Sequence, residues 1–312
     1  MIRSFSVTNY RDETMTCELT DPSKEGFAVV GIDGLGPVQA TVNVTDISSI
    51  DGGLFNSSRI GSRNIVISLV YYYDSGYSIE ELRHKSYRYF PPKKEIHLCI
   101  TTDTRIAFID GYVESNEVAI FSKQEGSQIS IICPNPYFYT ADKEYNQYND
   151  YAVPAFTFDF EDASADKLLM GTILDYKLTK IVYSGDADTG LLFSIDFKGP
   201  ISSDSTIQIT NGDTFVQNTI SIAKVISLVQ GFIGTSFTAI TSGDSIKFST
   251  IKGNKYVNFI HDNQEYNVLG SVTSNGEWLY LIPGANTIRI DTSDTNADVD
   301  ISSENQIYFN GV

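Results

Sequence analysis

Asp-Gly and Asn-Gly pairs recur along this chain, at Asp33-Gly34, Asp51-Gly52, Asp110-Gly111, Asn211-Gly212, Asn275-Gly276 and Asn310-Gly311. Such pairs favour the positive φ angles of tight hairpin turns. Short segments lie between them and alternate apolar with polar residues. Ile96, Leu98 and Ile100 alternate with His97, Cys99 and Thr101, and Ile246 and Phe248 with Lys247 and Ser249. Ile288 and Ile290 alternate in the same way with Arg289 and Asp291. A period of two sends one set inward and the other outward. Many short strands with frequent turns predict a mainly β chain built of sandwiches or barrels.

The length of 312 residues suggests two domains at roughly 150 residues each. A hydrophobic content of 41% is ample for real cores. The 22 basic and 39 acidic side chains leave a formal net charge of -17. That balance opposes a nucleic-acid-binding surface and opposes docking on anionic lipid. Cys17, Cys99 and Cys133 are odd in number and widely spaced. They predict neither a disulfide framework nor a structural zinc site, and point to assembly in a reducing cytoplasm. Met1 to Phe5 is not followed by the apolar stretch of a secretory signal. No run approaches the ~18 apolar residues of a membrane span. The longest is Ile65 to Tyr73, and the fairly apolar stretch Val225 to Ile240 is interrupted by Ser227, Gln230, Gly231 and Gly234.

One helix is legible, at about 78–90. Ser78-Ile79-Glu80-Glu81 is a capping box, in which the Ser78 hydroxyl accepts from the Glu81 amide while Glu81 reaches back. Pro91-Pro92 ends it, because proline lacks the amide and restricts its predecessor. A helix this short reads as a cover on a sheet. The stretch 136–154 holds Pro136, Pro154 and five tyrosines without any period, which marks a connector. Residues 1–135 and 155–312 are then the two β domains. Charge follows the division: residues 1–135 carry 12 basic and 17 acidic side chains, residues 136–312 carry 10 and 22.

Chemistry is sparse. His84, His97 and His261 stand in no metalloprotease pair and beside no nucleophile motif. His97 and Cys99 share a strand face, but two ligands do not close a tetrahedral shell, so both read as solvent-facing. Asp159 and Glu161 share a face opposite Phe158 and Phe160, and a carboxylate pair ~5–9 Å apart could perform glycoside chemistry. A half-buried strand in an acidic protein shows the same pattern. Asp291, Asp294, Asp298 and Asp300 lack the central glycine and terminal glutamate of an EF-hand, which leaves a weak surface cation or a solvated turn. No phosphate-cradling glycine loop occurs. Trp278, the only tryptophan, flanked by Leu279 and Leu281, reads as a core strand residue before a sugar-stacking platform. No catalytic, cofactor-binding or metal residue is assigned, and no cofactor.

Several segments in order carry a resemblance. They are Gly34-Leu35-Gly36-Pro37, Asp51-Gly52-Gly53-Leu54-Phe55, Arg59 to Ile67, the helix ending Phe90-Pro91-Pro92, and Cys133-Pro134-Asn135-Pro136-Tyr137-Phe138. Downstream come Tyr183 to Gly190, Gly243 to Thr250, Gly253 to Val257, Trp278 to Asn286 and Ile307 to Val312. In this order the chain resembles the distal tail proteins of long-tailed phages. The resemblance implies a ring, usually of six copies, made by the N-terminal domains. It implies a tail-tube protein on one side, a tail hub or tail-associated lysin on the other, and a place at the virion tail tip after assembly in the host cytoplasm. The C-terminal domain is implied to be a galectin-like or carbohydrate-module-like jelly roll that holds receptor-binding or fibre components. No catalytic residues belong to the pattern.

A heterologous ring needs apolar or paired-edge surfaces and a rotation that closes. Candidate surfaces are Ile65 to Tyr73 and Glu95 to Ile100. DNA must cross such a ring without adhering, so an acidic lumen is expected, with the basic cluster Arg83, Lys85, Arg88, Lys93 and Lys94 turned to a protein partner. The alternatives are a lectin-like saccharide-binding module and, third, a glycoside hydrolase using Asp159 and Glu161. A sandwich fold alone does not choose among them.

Overall fold

The computed structural model describes residues 1–48, 51–72, 76–122, 124–154 and 171–312. The described chain is mainly β, as the alternation requires. It divides into a first unit, Met1–Ala141 with Tyr308–Val312, and a second, Asp142–Ile307. The division falls within 136–154, the stretch read as a connector, and that stretch carries strand.

In the first unit the strands are β1 (Ile2–Thr8), β2 (Thr14–Glu18), β3 (Phe27–Asp33), β4 (Ala40–Asp46), β5 (Gly53–Ile60) and β6 (Arg63–Tyr71). Helix α1 (Ile79–Tyr89) follows, then β7 (Glu95–Thr102), β8 (Ile106–Val118), β9 (Gly126–Cys133) and the start of β10 (Phe138–Tyr148). An antiparallel ladder runs β2-β1-β7-β8-β9-β6-β3. Strand β8 is the corner. Ile106–Tyr112 pair with β7 and Tyr112–Val118 with β9, with a bulge at Val113/Ser115 inside the β9 pairing. Gly111 sits on that corner because a Cβ there would lie 2.6 Å from Ile131 Cγ2 and 2.9 Å from Cys133 Sγ. Asp110-Gly111 is thus a close-packing pair in mid-strand and not the turn that the sequence suggested. Asp33-Gly34 and Asp51-Gly52 do place glycine at positive φ.

Helix α1 forms as its cap predicts. Ser78 Oγ accepts from the Glu81 amide at 3.2 Å and the Ser78 amide donates to Glu81 Oε2 at 2.8 Å. Leu82 and Ser86 face the sheet, where Ser86 Oγ lies 3.3 Å from Tyr71 Oη. The helix stops before Pro91, with the Phe90 amide donating to Ser86 O.

The second unit holds the rest of β10, then β11 (Asp150–Pro154), β12 (Gly171–Tyr183), β13 (Thr189–Phe197), β14 (Thr206–Asn211) and β15 (Val216–Ser221). A second helix, α2 (Ile222–Ile233), leads to β16 (Ser245–Ser249), β17 (Tyr256–His261) and β18 (Gln264–Asn267). The unit closes with β19 (Val272–Ser274), β20 (Tyr280–Leu281), β21 (Gly284–Thr292) and β22 (Val299–Phe309). One sheet is ordered β18-β17-β16-β13-β22, the other β11-β12-β21-β14-β15-β19. Both contribute inward side chains to one apolar cluster, Phe193, Phe248 and Phe259 from the first, Ile209, Ile220 and Ile290 from the second. This is a sandwich.

Helix α2 is a correction to the one-helix reading. Its Ile and Val residues are poor helix formers, so propensity hid it. The spacing of its buried residues, Ile222, Val225, Ile226 and Val229, is helical, however. Ser221 Oγ accepts from the Lys224 amide at its start, and Gly234 with φ 95 ends it. Tertiary burial of that stripe overrides propensity. No helix among the described residues is long and apolar enough to cross a membrane.

Candidate assembly surface

The two segments singled out as interface surfaces are interior. Strand β6 is paired on both sides, by β3 and β9, and Ile65, Ile67, Leu69 and Tyr71 are buried. Strand β7 is likewise paired by β1 and β8, and Ile96, Leu98 and Ile100 are fully buried. Their apolar runs are core, and they have no free edge to offer.

An exposed apolar surface lies ahead of both in sequence. Strands β4 and β5 form a two-stranded hairpin that pairs with no other strand among the described residues, and every residue of both is exposed. Cross-strand partners share a face: Ala40 with Ile60, Val42 with Ser58 and Val44 with Phe55. One face therefore carries Ala40, Val42, Val44, Phe55, Ser58 and Ile60. The other carries Thr41, Asn43, Thr45, Leu54, Ser57 and Arg59, so it is mostly polar, and its polar side chains hydrogen-bond to one another. Asn43 Nδ2 donates to Ser57 Oγ (2.9 Å) and Asn56 Nδ2 to Thr45 Oγ1 (2.6 Å). Val42, Val44 and Phe55 stand 55%, 52% and 61% exposed. An isolated hairpin is marginal in water, and an uncovered apolar face rimmed by polar residues marks an interaction surface.

Three members of the basic cluster are paired with carboxylates. Arg83 Nη2 lies 2.6 Å from Glu125 Oε2, Lys85 Nζ lies 2.6 Å from Glu25 Oε2, and Arg88 donates to the Glu13 carboxylate through Nε and Nη2. Lys94 Nζ sits 5.2 Å from the Tyr10 ring centroid. Arg83, Lys85 and Arg88 brace α1 and its neighbours against the sheet, which corrects the reading of these three as a patch for a partner; Lys93 and Lys94 are exposed. The Arg88 hydrogen bond, then that of Asn9, hold the Glu13 carboxyl down from 4.5 to about 2. A depressed carboxylate contributes stability above its ordinary value and loses it as pH falls through the folded value. The brace is thus complete above about pH 4.5 and disappears toward pH 2. NMR titration of the Glu13 carboxyl should give a midpoint near 2, and a midpoint near 4.5 would contradict the brace.

The remaining candidates do not converge. His97 Nδ1 lies 2.6 Å from Asp110 Oδ1, and the same oxygen accepts from Tyr139 Oη at 2.8 Å. Burial, followed by that hydrogen bond, raises the Tyr139 phenol above its ordinary range. His97 is exposed on a sheet surface while Cys99 is half-buried. His261 Nδ1 meets the buried Asp244 at 2.6 Å and packs on Phe237 and Phe259. His84 is exposed beside Tyr87. Burial pushes the Cys17 and Cys133 thiols up to about 12, which makes them poor nucleophiles at neutral pH. In the acidic cluster, Asp291 is held by Arg289 (2.6 Å), Asp294 accepts from the Ser202 amide (2.8 Å), and Asp300 pairs with Lys198 (3.3 Å). No group of three potential metal ligands occurs among the described residues. Asp159 and Glu161 lie outside the described residues. Trp278 is half-buried in the segment before β20 and not on a strand. Phe248 packs on it at 5.6 Å and Lys255 Nζ lies 5.2 Å from its ring.

The hairpin, β6 and α1 fall inside a segment, residues 23–165, that matches the family model of the phage tail protein RIFT-related domain. The match covers just under half of the chain. The matched segment thus includes the hairpin and most of the covered sheet beside it, which ties this part of the chain to phage tail proteins. The fold is similar to that of the Dit protein (gp 19.1) of phage SPP1, described as a paradigm of the hub adsorption apparatus in phages infecting Gram-positive hosts. The two share 12% identity and a TM-score of 0.59 over 98% of this chain and 99% of that one. A chain of the phage P2 baseplate in its activated conformation with calcium is 13% identical over 97% and 98%, with a TM-score of 0.49. No curated protein matches the chain in sequence.

Proposed function

We propose that copies of this chain close into a ring, six in number, at the tip of a phage tail. One observation carries the reading: within the tail domain an amphipathic hairpin is presented with its apolar face uncovered. In a heterologous ring each copy covers the hairpin face of its neighbour, and the rotation closes the set. The ring joins the tail tube to the tail hub or its lysin. The second unit, taken as the galectin-like or carbohydrate-module-like lobe, holds receptor-binding or fibre proteins. The net charge of -17 suits a lumen that lets DNA pass by repelling its phosphates. The role is architectural and non-enzymatic, at the virion tail tip after assembly in the host cytoplasm.

Native mass spectrometry and negative-stain imaging of the full chain test this. Annular particles of six copies are expected, alone or with the tail-tube protein. A monomer under both conditions, at concentrations of tens of micromolar and above, overturns it.

A further inference from the structure

Arg63 opens β6 directly after the hairpin, and it is 2% exposed. A buried cation ordinarily requires an acidic partner. The acceptors of this guanidinium are instead four backbone carbonyls. Nε donates to Pro136 O (2.6 Å), Nη1 to Gly34 O and to Gly36 O (2.6 Å), and Nη2 to Asn310 O (2.7 Å). The Phe138 ring covers it, with Cζ 4.6 Å from the centroid. Burial lowers the pKa of this group, as the lack of a carboxylate at the site implies.

The four carbonyls come from separate stretches of chain. Gly34 and Gly36 lead into β4, Pro136 leads into β10, and Asn310 lies in the segment that returns to the first unit after residues 142–307. That segment is seated closely. The Val312 amide donates to Leu35 O (3.2 Å), and Arg105 Cζ lies 4.3 Å from the Phe309 ring centroid. A Cβ on Gly311 would stand 2.9 Å from Leu35 O. Gly34 is equally confined: its φ is +86, and a Cβ there would stand 2.2 Å from Asn64 O. One cation therefore holds both roots of the hairpin, residues 34–36 and residue 63, and residues 308–312 supply its last acceptor.

We propose that Tyr308–Val312 is a latch whose Asn310 carbonyl completes the Arg63 site and so sets the hairpin β4–β5 for assembly. The inference rests on the reading of that hairpin as the assembly surface. Without Asn310, Nη2 keeps a buried N–H that has lost its acceptor, and the site opens to water to satisfy it. The hairpin pairs with no other strand among the described residues, so its roots are what orient it. A chain still lacking residues 308–312 then holds its assembly surface unset, because the second unit precedes the latch in sequence.

Hydrogen exchange on the full chain reads the latch directly. Arg63→Lys cannot reach four carbonyls with three donors on one nitrogen. Gly311→Ala is a milder test, pressing on Leu35 O. Amides of residues 34–36, 40–46 and 53–60 are expected to exchange roughly 10- to 100-fold faster in Arg63→Lys and several-fold faster in Gly311→Ala. Amides of β13 and β16 in the second unit should not change. A chain truncated after Ile307 should behave like Arg63→Lys, and a synthetic Gln306–Val312 peptide at millimolar concentration should restore its protection. The same peptide should do nothing for Arg63→Lys. Unchanged hairpin exchange in both full-length variants overturns the latch, as does equal rescue of Arg63→Lys. Exchange as expected from a chain that never forms rings would keep the latch and refute the assembly reading.

Discussion

Val44→Asp with Phe55→Asp is expected to leave the chain folded and to abolish its self-association. Both side chains are more than half exposed and share the uncovered face of the hairpin. The unfolding free energy should therefore stay within about 0.5 kcal/mol of the parent, as for surface substitutions. At a contact between copies, each aspartate would be a carboxylate driven into an apolar interface. Two of them should weaken association by at least about 100-fold, since desolvating even one unpaired charge exceeds what a hairpin contact returns. Sedimentation velocity and urea unfolding on the same samples separate the effects. Rings of undiminished stability would show that the contact lies elsewhere. Thr41→Asp with Thr45→Asp on the polar face should disturb assembly much less, which controls for charge alone.

Asn211→Leu should lower the stability of the second unit by about 2–4 kcal/mol. Asn211 is fully buried, donates to Tyr280 O (2.8 Å) and to Asn286 Oδ1 (3.1 Å), and accepts from the Asp213 amide (3.0 Å). Asn286 in turn donates to Ile282 O (2.7 Å) and Gly284 O (3.1 Å), so it holds the turn that enters β21. Leucine satisfies none of these groups, and it leaves a carbonyl and an amide without partners in a dry sandwich core. Trp278, the one tryptophan, packs against the core residue Phe248 and reports on this unit by fluorescence. Its urea midpoint should fall by about 1–2 M with little change in slope. A shift below about 0.3 M would mean that the asparagine network contributes little.

Elements whose signal is local were legible. The capping box Ser78–Glu81 closes as read, because cap and partner are three residues apart on one turn. Ile96, Leu98 and Ile100, and Ile288 and Ile290, face inward as their alternation requires. Helix α2 was obscured because Ile and Val carry strand propensity, although the spacing Ile222, Val225, Ile226 and Val229 held the signal. The basic cluster misled for a different reason. Arg83, Lys85 and Arg88 are adjacent in sequence, whereas Glu125, Glu25 and Glu13, which neutralise them, arrive from three distant elements. A run of charge shows its own members and not its partners.

The alternation of Ala40 to Asp46 and the Asp51-Gly52 pair are consistent with a hairpin there, because pairing of near neighbours needs only a short-range pattern. The same pattern is equally consistent with a half-buried strand in a sheet. Only the tertiary structure decided that Val44 and Phe55 are left uncovered while Ile65 and Leu98 are covered on both sides. Burial is a property of which distant segments arrive on a face, and an alternating strand looks the same whether or not anything arrives. Arg63 follows the same logic. Its charge was visible in the sequence, but its acceptors are backbone carbonyls of Gly34, Gly36, Pro136 and Asn310, groups that every residue carries and that only folding brings to one point.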